Sequence, residues 1–145
     1  MERALAEAKK AGARGEVPVG AVIVKNGAVV ATGANDREAS KSPLSHAELR
    51  ALEAGSAGLG DWRLTDCTLV VTLEPCPMCL AACQQARVSR VVYGARDPKG
   101  GALSLGHNLH ADARLNHRFE VEYLSTPEAK AVLKAFFSEQ RAKKK

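Results

Sequence analysis

The sequence predicts an α/β fold, with helices covering both faces of one five-stranded sheet. Three observations carry that prediction. Short strand-like runs alternate with segments of helical periodicity along most of the chain. The run Val19-Gly20-Ala21-Val22-Ile23-Val24 is almost continuously apolar, as a strand covered on both faces requires. No internal repeat and no long linker divides the 145 residues, so residues 1–145 read as a single domain with room for a substantial core.

Taken in order, Met1 to Lys10 reads as a charged amphipathic helix with Ala4, Leu5 and Ala8 on one side. Gly12 and Gly15 break that pattern, and Glu16-Val17-Pro18 leads into the first strand. Lys25-Asn26-Gly27 is a hairpin turn signal, so Ala28 to Thr32 should return as the partner strand. Gly33 to Pro43 is polar and irregular. A helix is predicted from Ser45 to about Ala54, stopping in the glycine-rich Gly55 to Gly60. Cys67 to Leu73 reads as a strand. Pro77 to Arg87 suits a helix, with Pro in the first turn, where a missing N–H costs little. Val88 to Tyr93 is the next strand, Gly94 to Asn116 a long loop, and Phe119 to Tyr123 the fifth strand. Thr126-Pro127-Glu128 starts a last helix with Thr126 as N-cap, ending in the basic tail Arg141 to Lys145.

Hydrophobic residues make up 46% and charged residues 26%, a globular balance. No apolar run approaches the roughly 18 residues of a membrane span, and the start of the chain does not read as a signal peptide. No membrane association is expected. Four cysteines stand at 67, 76, 79 and 83. A CxxC with a distant histidine and no secretion signal favours a metal in a reducing compartment, so a cytoplasmic location is expected. The net charge of +5 favours a polyanionic partner.

The chemistry concentrates in His46-Ala47-Glu48 and Pro75-Cys76-Pro77-Met78-Cys79. Zinc on three protein ligands keeps a fourth position for water, which separates a catalytic site from a closed structural one. It lowers the pKa of that water towards 7, and Glu48 then has a proton to carry. His46 and Cys76 both fall where helices should begin, where the positive helix end favours thiolate. Three other readings stay open. Cys76 and Cys79 could form a redox pair, which leaves His46 and Glu48 without work. Cys83 could close a four-ligand structural site, although it lies one turn and about 6 Å further along its helix. Ser45-His46-Ala47-Glu48 also fits a capping box, in which Glu48 only satisfies a backbone donor. Cys67 and Cys83 are otherwise read as buried small side chains, and His107, His110 and His117 as surface or hydrogen-bonding residues.

H-A-E followed by P-C-x-x-C resembles the signature of the cytidine deaminase superfamily. Further stretches narrow the resemblance to the bacterial tRNA-specific adenosine deaminases. They are Glu16-Val17-Pro18-Val19-Gly20-Ala21, Gly33-Ala34-Asn35, Val71 to Cys76, Gly94-Ala95-Arg96-Asp97, Asn116-His117-Arg118 and the Phe136-Phe137 helix. The segment Leu103 to Arg114 fits the family pattern poorly. The resemblance implies a three-layer α/β/α cytidine deaminase-like fold with a central mixed sheet. It implies a homodimer with one zinc ion per subunit, which converts the wobble adenosine of a tRNA anticodon stem-loop to inosine and releases ammonia. Carried over by position, His46, Cys76 and Cys79 hold zinc and Glu48 shuttles protons. Asn35 hydrogen-bonds the target base, and Val17, Pro18 and Val19 line the pocket beside it. Asp97 meets the neighbouring ribose, Lys99 lies near phosphates, and Phe136 and Phe137 pack against the anticodon loop. The alternatives are structural: Asn35 as a turn residue, Val17 and Val19 as strand-entry packing, the two phenylalanines as helix core, the lysine tail as solvated surface. At the level of function the rivals are a free nucleobase or nucleotide deaminase, and a zinc-stabilised nucleic-acid-binding module without catalysis.

Overall fold

The computed structural model of the protein describes residues 1–144. Along the chain the elements are α1 (Glu2–Ala13), β1 (Gly20–Lys25), β2 (Ala28–Ala34), α2 (Arg37–Ser40), α3 (Ala47–Leu59), β3 (Cys67–Val71), α4 (Pro77–Gln85), β4 (Arg90–Tyr93), β5 (Glu120–Tyr123) and α5 (Pro127–Lys143), with a 3-10 turn at Leu109–Ala111. The strands form one mixed sheet in the order β2-β1-β3-β4-β5. β1 is antiparallel to β2 and β3, whereas β4 runs parallel to β3 and β5 parallel to β4. Four strands therefore end at one edge of the sheet, where β1 begins. The carboxyl ends of strands in an open α/β sheet are where ligands bind.

Two glycines let helices approach both faces of the β1–β2 hairpin. A Cβ on Gly20 would lie 2.1 Å from the Ala4 carbonyl oxygen of α1, and one on Gly33 only 2.4 Å from that of Ala47 in α3. Gly33 sits opposite Ala21, the neighbour of Gly20, so the two glycines face opposite sides of the sheet. α1 and α5 pack together on one side, α3 and α4 on the other, giving three layers. The larger core joins the sheet to α3 and α4 through fully buried Ile23, Leu69, Leu80 and Val91. The smaller one holds Leu5, Ala95 and Ala129. Ala129 is the one buried residue of α5, so most of that helix faces solvent.

The five strands and the helices α1, α3, α4 and α5 come in the expected order, α2 and the 3-10 turn are additions, and the boundaries move where tertiary contacts override local pattern. α1 passes Gly12, which seats against Pro18, and ends at Ala13. α3 passes the expected stop after Ala54 because Gly55 nestles against Ile23 and Leu64; left-handed Gly60 (φ 70°) ends it instead. The polar segment 33–43 contains the end of β2 and the short α2. That helix is held from outside: the buried Glu16 carboxylate accepts the Glu38 and Ala39 N–H groups, each at 2.9 Å. Asn26 and Gly27 both take positive φ, as the predicted hairpin requires. Thr126 occupies the N-cap of α5, but its hydroxyl donates to the Leu124 carbonyl rather than serving the helix. The basic tail is helical through Lys143, and Lys145 lies outside the described residues. No helix among the described residues is long and apolar enough to cross a membrane.

Candidate metal centre and cleft

Three donor side chains meet at the shared strand edge. His46 is the N-cap of α3, in extended conformation. Cys76 is the N-cap of α4, with Pro77 as the first helical residue. Cys79 follows within the first turn, so both thiols face one helix mouth. His46 Nδ1 lies 3.6 Å from Cys76 Sγ and 3.4 Å from Cys79 Sγ. The three donor atoms all fall within 4.8 Å of one another. A tetrahedral zinc ion, with bonds of roughly 2.0 Å to nitrogen and 2.3 Å to sulfur, separates nitrogen from sulfur by about 3.5 Å. The two nitrogen–sulfur edges already have about that length, and the imidazole–thiolate chemistry suits zinc. The residues fit one zinc ion.

The electrostatics agree. A hydrogen bond from Cys79, aided by His46, holds the Cys76 thiol down at about 4 against the opposing effect of burial. Cys79 is pushed up, first by that same bond to Cys76 and then by burial. The His46 imidazole is raised, chiefly by its bond to Cys76. The pair gives up one proton easily and the second only against the first thiolate's charge, a penalty that a divalent cation removes. Cys83 is buried in the larger core, its thiol pushed up by burial, and stands outside the donor trio; Cys67 is buried at the start of β3.

Glu48 is the second residue of α3 and only 4% exposed; burial, above all, lifts its carboxyl to about 7. The capping box does not form, because His46 is the N-cap and the Ser45 hydroxyl pairs with that of Ser40. Glu48 lines the same cleft, of about 720 Å³, as His46 and Cys76.

Val17 and Val19 give that cleft an apolar wall, Asn35 stands at the end of β2, and Asp97, Lys99 and Phe137 complete its rim. Pro18 does not line it: the Val19 N–H donates to the Val17 carbonyl at 2.8 Å, so the chain turns tightly at Pro18, whose ring is fully buried beside Gly12. Phe136 does not line it either, packing edge-on against Phe137 with ring centres 5.5 Å apart. Asn35 donates through Nδ2 to the Val17 carbonyl at 3.2 Å, while its Oδ1 is buried with no protein partner. An orphaned buried acceptor in a cleft calls for a ligand donor. Asp97 Oδ1 accepts the Lys99 and Gly100 N–H groups and so shapes its own loop. Arg37, Lys130 and Lys134 also face the cleft, although motif reading singled out none of them. The available signal was the spacing of Lys130, Leu133, Lys134 and Phe137 along one helix face. His110 packs beside Phe119 and His117 contacts the Val88 carbonyl, away from the donor trio.

Residues 1–95 match the family described as the cytidine and deoxycytidylate deaminase zinc-binding region. A tRNA-specific adenosine deaminase of Bacillus subtilis (strain 168) is 47% identical over 146 residues, covering 100% of this chain and 91% of its own. A solved structure from a study of A-to-I editing by tRNA:A34 deaminases at the wobble position of transfer RNA superposes with a TM-score of 0.86 at 42% identity, covering 92% of this chain and 97% of that one. A guanine deaminase structure from Bacillus subtilis gives a TM-score of 0.64 at 32% identity, with 94% and 90% covered.

Proposed function

The chain belongs to the cytidine and deoxycytidylate deaminase family, in its branch of tRNA-specific adenosine deaminases, and on that footing we propose that it deaminates the wobble adenosine of a tRNA anticodon loop to inosine by zinc-dependent hydrolysis, releasing ammonia. One observation carries the reading: a donor trio with the nitrogen–sulfur distances of a tetrahedral zinc site presents two of its members, His46 and Cys76, to the same cleft as a buried glutamate.

His46, Cys76 and Cys79 would hold zinc, whose Lewis acidity makes water a competent nucleophile near neutral pH. Glu48 takes the proton that water gives up as it attacks carbon 6 of adenine. It passes that proton to the adjacent ring nitrogen, then takes the proton of the new carbon 6 hydroxyl and delivers it to the amine. The amine leaves as ammonia as the carbon–nitrogen bond breaks and the carbonyl of inosine forms. Burial lifts this carboxyl to about 7 in the metal-free chain, and a carboxyl that is easily protonated can both take and give a proton. Asn35, its amide already held by Val17, offers its free Oδ1 to a base N–H. Val17 and Val19 flank the base and exclude water. Asp97 and Lys99 contact the sugar and phosphate beside it, and Phe137 with Lys130 and Lys134 receives the rest of the loop. The target base must leave its stack, which costs less in a single-stranded loop than in a duplex.

The homodimer implied by the family resemblance belongs to this reading, as does a cytoplasmic location. Sedimentation of the zinc-loaded protein at micromolar concentration tests the dimer, and a monomer alone would count against it. The catalytic reading is tested by incubating the zinc-loaded chain with an anticodon stem-loop, free adenosine, free cytidine and free guanine. Inosine from the stem-loop is expected. Xanthine from guanine, uridine from cytidine, or no product at all would overturn the assignment.

A further inference from the structure

Glu74 stands two residues before Cys76 and is only 3% exposed. Its carboxylate turns into the loop after β4. Oε1 accepts the Asp97 N–H at 3.1 Å and the Ser104 hydroxyl at 2.7 Å, and Oε2 accepts the Ser104 N–H at 2.8 Å. The loop closes round it so tightly that a Cβ on Gly101 would lie 2.1 Å from Oε2. Backbone bonds flank the carboxylate: the Glu74 N–H donates to the Ala95 carbonyl, and the Ala102 N–H to that of Pro75, both at 2.8 Å. Residues 74–76 and 95–104 are thereby sewn into one unit, with a metal-site thiol at one end and Asp97 and Lys99 at the other.

We propose that Glu74 is a positioning residue, which fixes the Asp97–Lys99 rim relative to the metal helix and so sets the affinity for the nucleotides beside the target base. This rests on the tRNA reading above. The chemistry demands a carboxylate. The two backbone donors address different oxygens, so an amide in either orientation would set N–H against N–H. Ser104 lies where the family resemblance is weakest, so motif reading could not pair it with Glu74.

The test uses the zinc-loaded full chain. Glu74→Gln should keep one zinc per chain, raise KM for an anticodon stem-loop about tenfold, and hold kcat within about twofold. Ser104→Ala, which removes one of three donors and spares the fold, should shift KM the same way by less. Amide exchange at Asp97 and Ser104 should lose protection in Glu74→Gln. In an Asp97→Ala/Lys99→Ala background the Glu74 substitution should add less than about twofold, because the contacts it positions are gone. Unchanged KM and protection, an undiminished penalty in that background, or loss of zinc would each overturn the proposal. Should the wild-type chain leave the stem-loop unmodified, the tRNA reading fails, while exchange and zinc content still decide whether Glu74 pins the loop.

Discussion

A carboxylate that first takes and then gives a proton works best when its pKa lies near the working pH, and Glu48 reaches that range mainly by burial. Glu48→Ala should therefore retain zinc while lowering inosine formation about 10²-fold or more in single-turnover assays; undiminished turnover removes Glu48 from the mechanism. The same burial affects stability. The carboxyl titrates near 4.5 in an unfolded chain and at about 7 in the folded, metal-free one. Between those values the unfolded state has released a proton that the folded state still holds. Stability is thus unaffected below 4.5, falls as pH rises towards 7, and stays reduced above it. Glu48→Gln has no charge to bury, so the metal-free variant should melt about 5 °C above the metal-free wild type at pH 8 and close to it at pH 5. Equal melting temperatures at pH 8 would contradict the burial argument. Cys79 lies at the opposite extreme, since nothing replaces its sulfur. Cys79→Ala should leave well under one zinc per chain after desalting, and a fully loaded variant would point to another ligand.

At the scale of elements, the site depends on how closely α3 lies on the hairpin. Gly33→Ala places a Cβ 2.4 Å from the Ala47 carbonyl oxygen and 2.5 Å from the Ala51 nitrogen, both backbone atoms. α3 must lift, and its first turn carries His46 and Glu48. The expected cost is about 1–3 kcal/mol, or roughly 3–10 °C in melting temperature, together with weaker zinc retention against a chelator. Wild-type melting and zinc retention would show that the helix has slack. This dependence also marks what the sequence could show. The two thiols were legible because only two residues separate them at a helix start announced by Pro77. Glu16 was not, since it holds α2 from more than twenty positions away, and no local pattern records such a contact. The stop of α3 was misplaced for the same reason, because Gly55 is a packing residue there rather than a breaker. Pro18 reads as pocket lining with its neighbours, yet the tight turn from Val17 to Val19, which local pattern does not announce, buries its ring beside Gly12.

Across the whole molecule basic residues outnumber acidic ones, giving a net charge of +5, and the cleft shares that excess. Arg37, Arg96, Lys99, Lys130 and Lys134 all face the cleft, while its acids are Glu48, Glu74 and Asp97, the last two occupied by backbone donors. α5 supplies two of those cations from a helix that buries little beyond Ala129, so its exposed face is available to a substrate running past the cleft. Cations that meet phosphates release counterions, and for single strands the slope of log K against log salt changes by about 0.7 for each contact. Lys130→Ala/Lys134→Ala should thus flatten the slope for an anticodon stem-loop by about 1.4, with zinc content unchanged. Lys25, at the far end of β1 from the cleft, supplies the control: Lys25→Ala should leave the slope as it was. Equal slopes in wild type and the double variant, measured by fluorescence anisotropy across a salt series, would mean that the RNA does not cross α5. The cleft's other cations would then account for the electrostatic attraction.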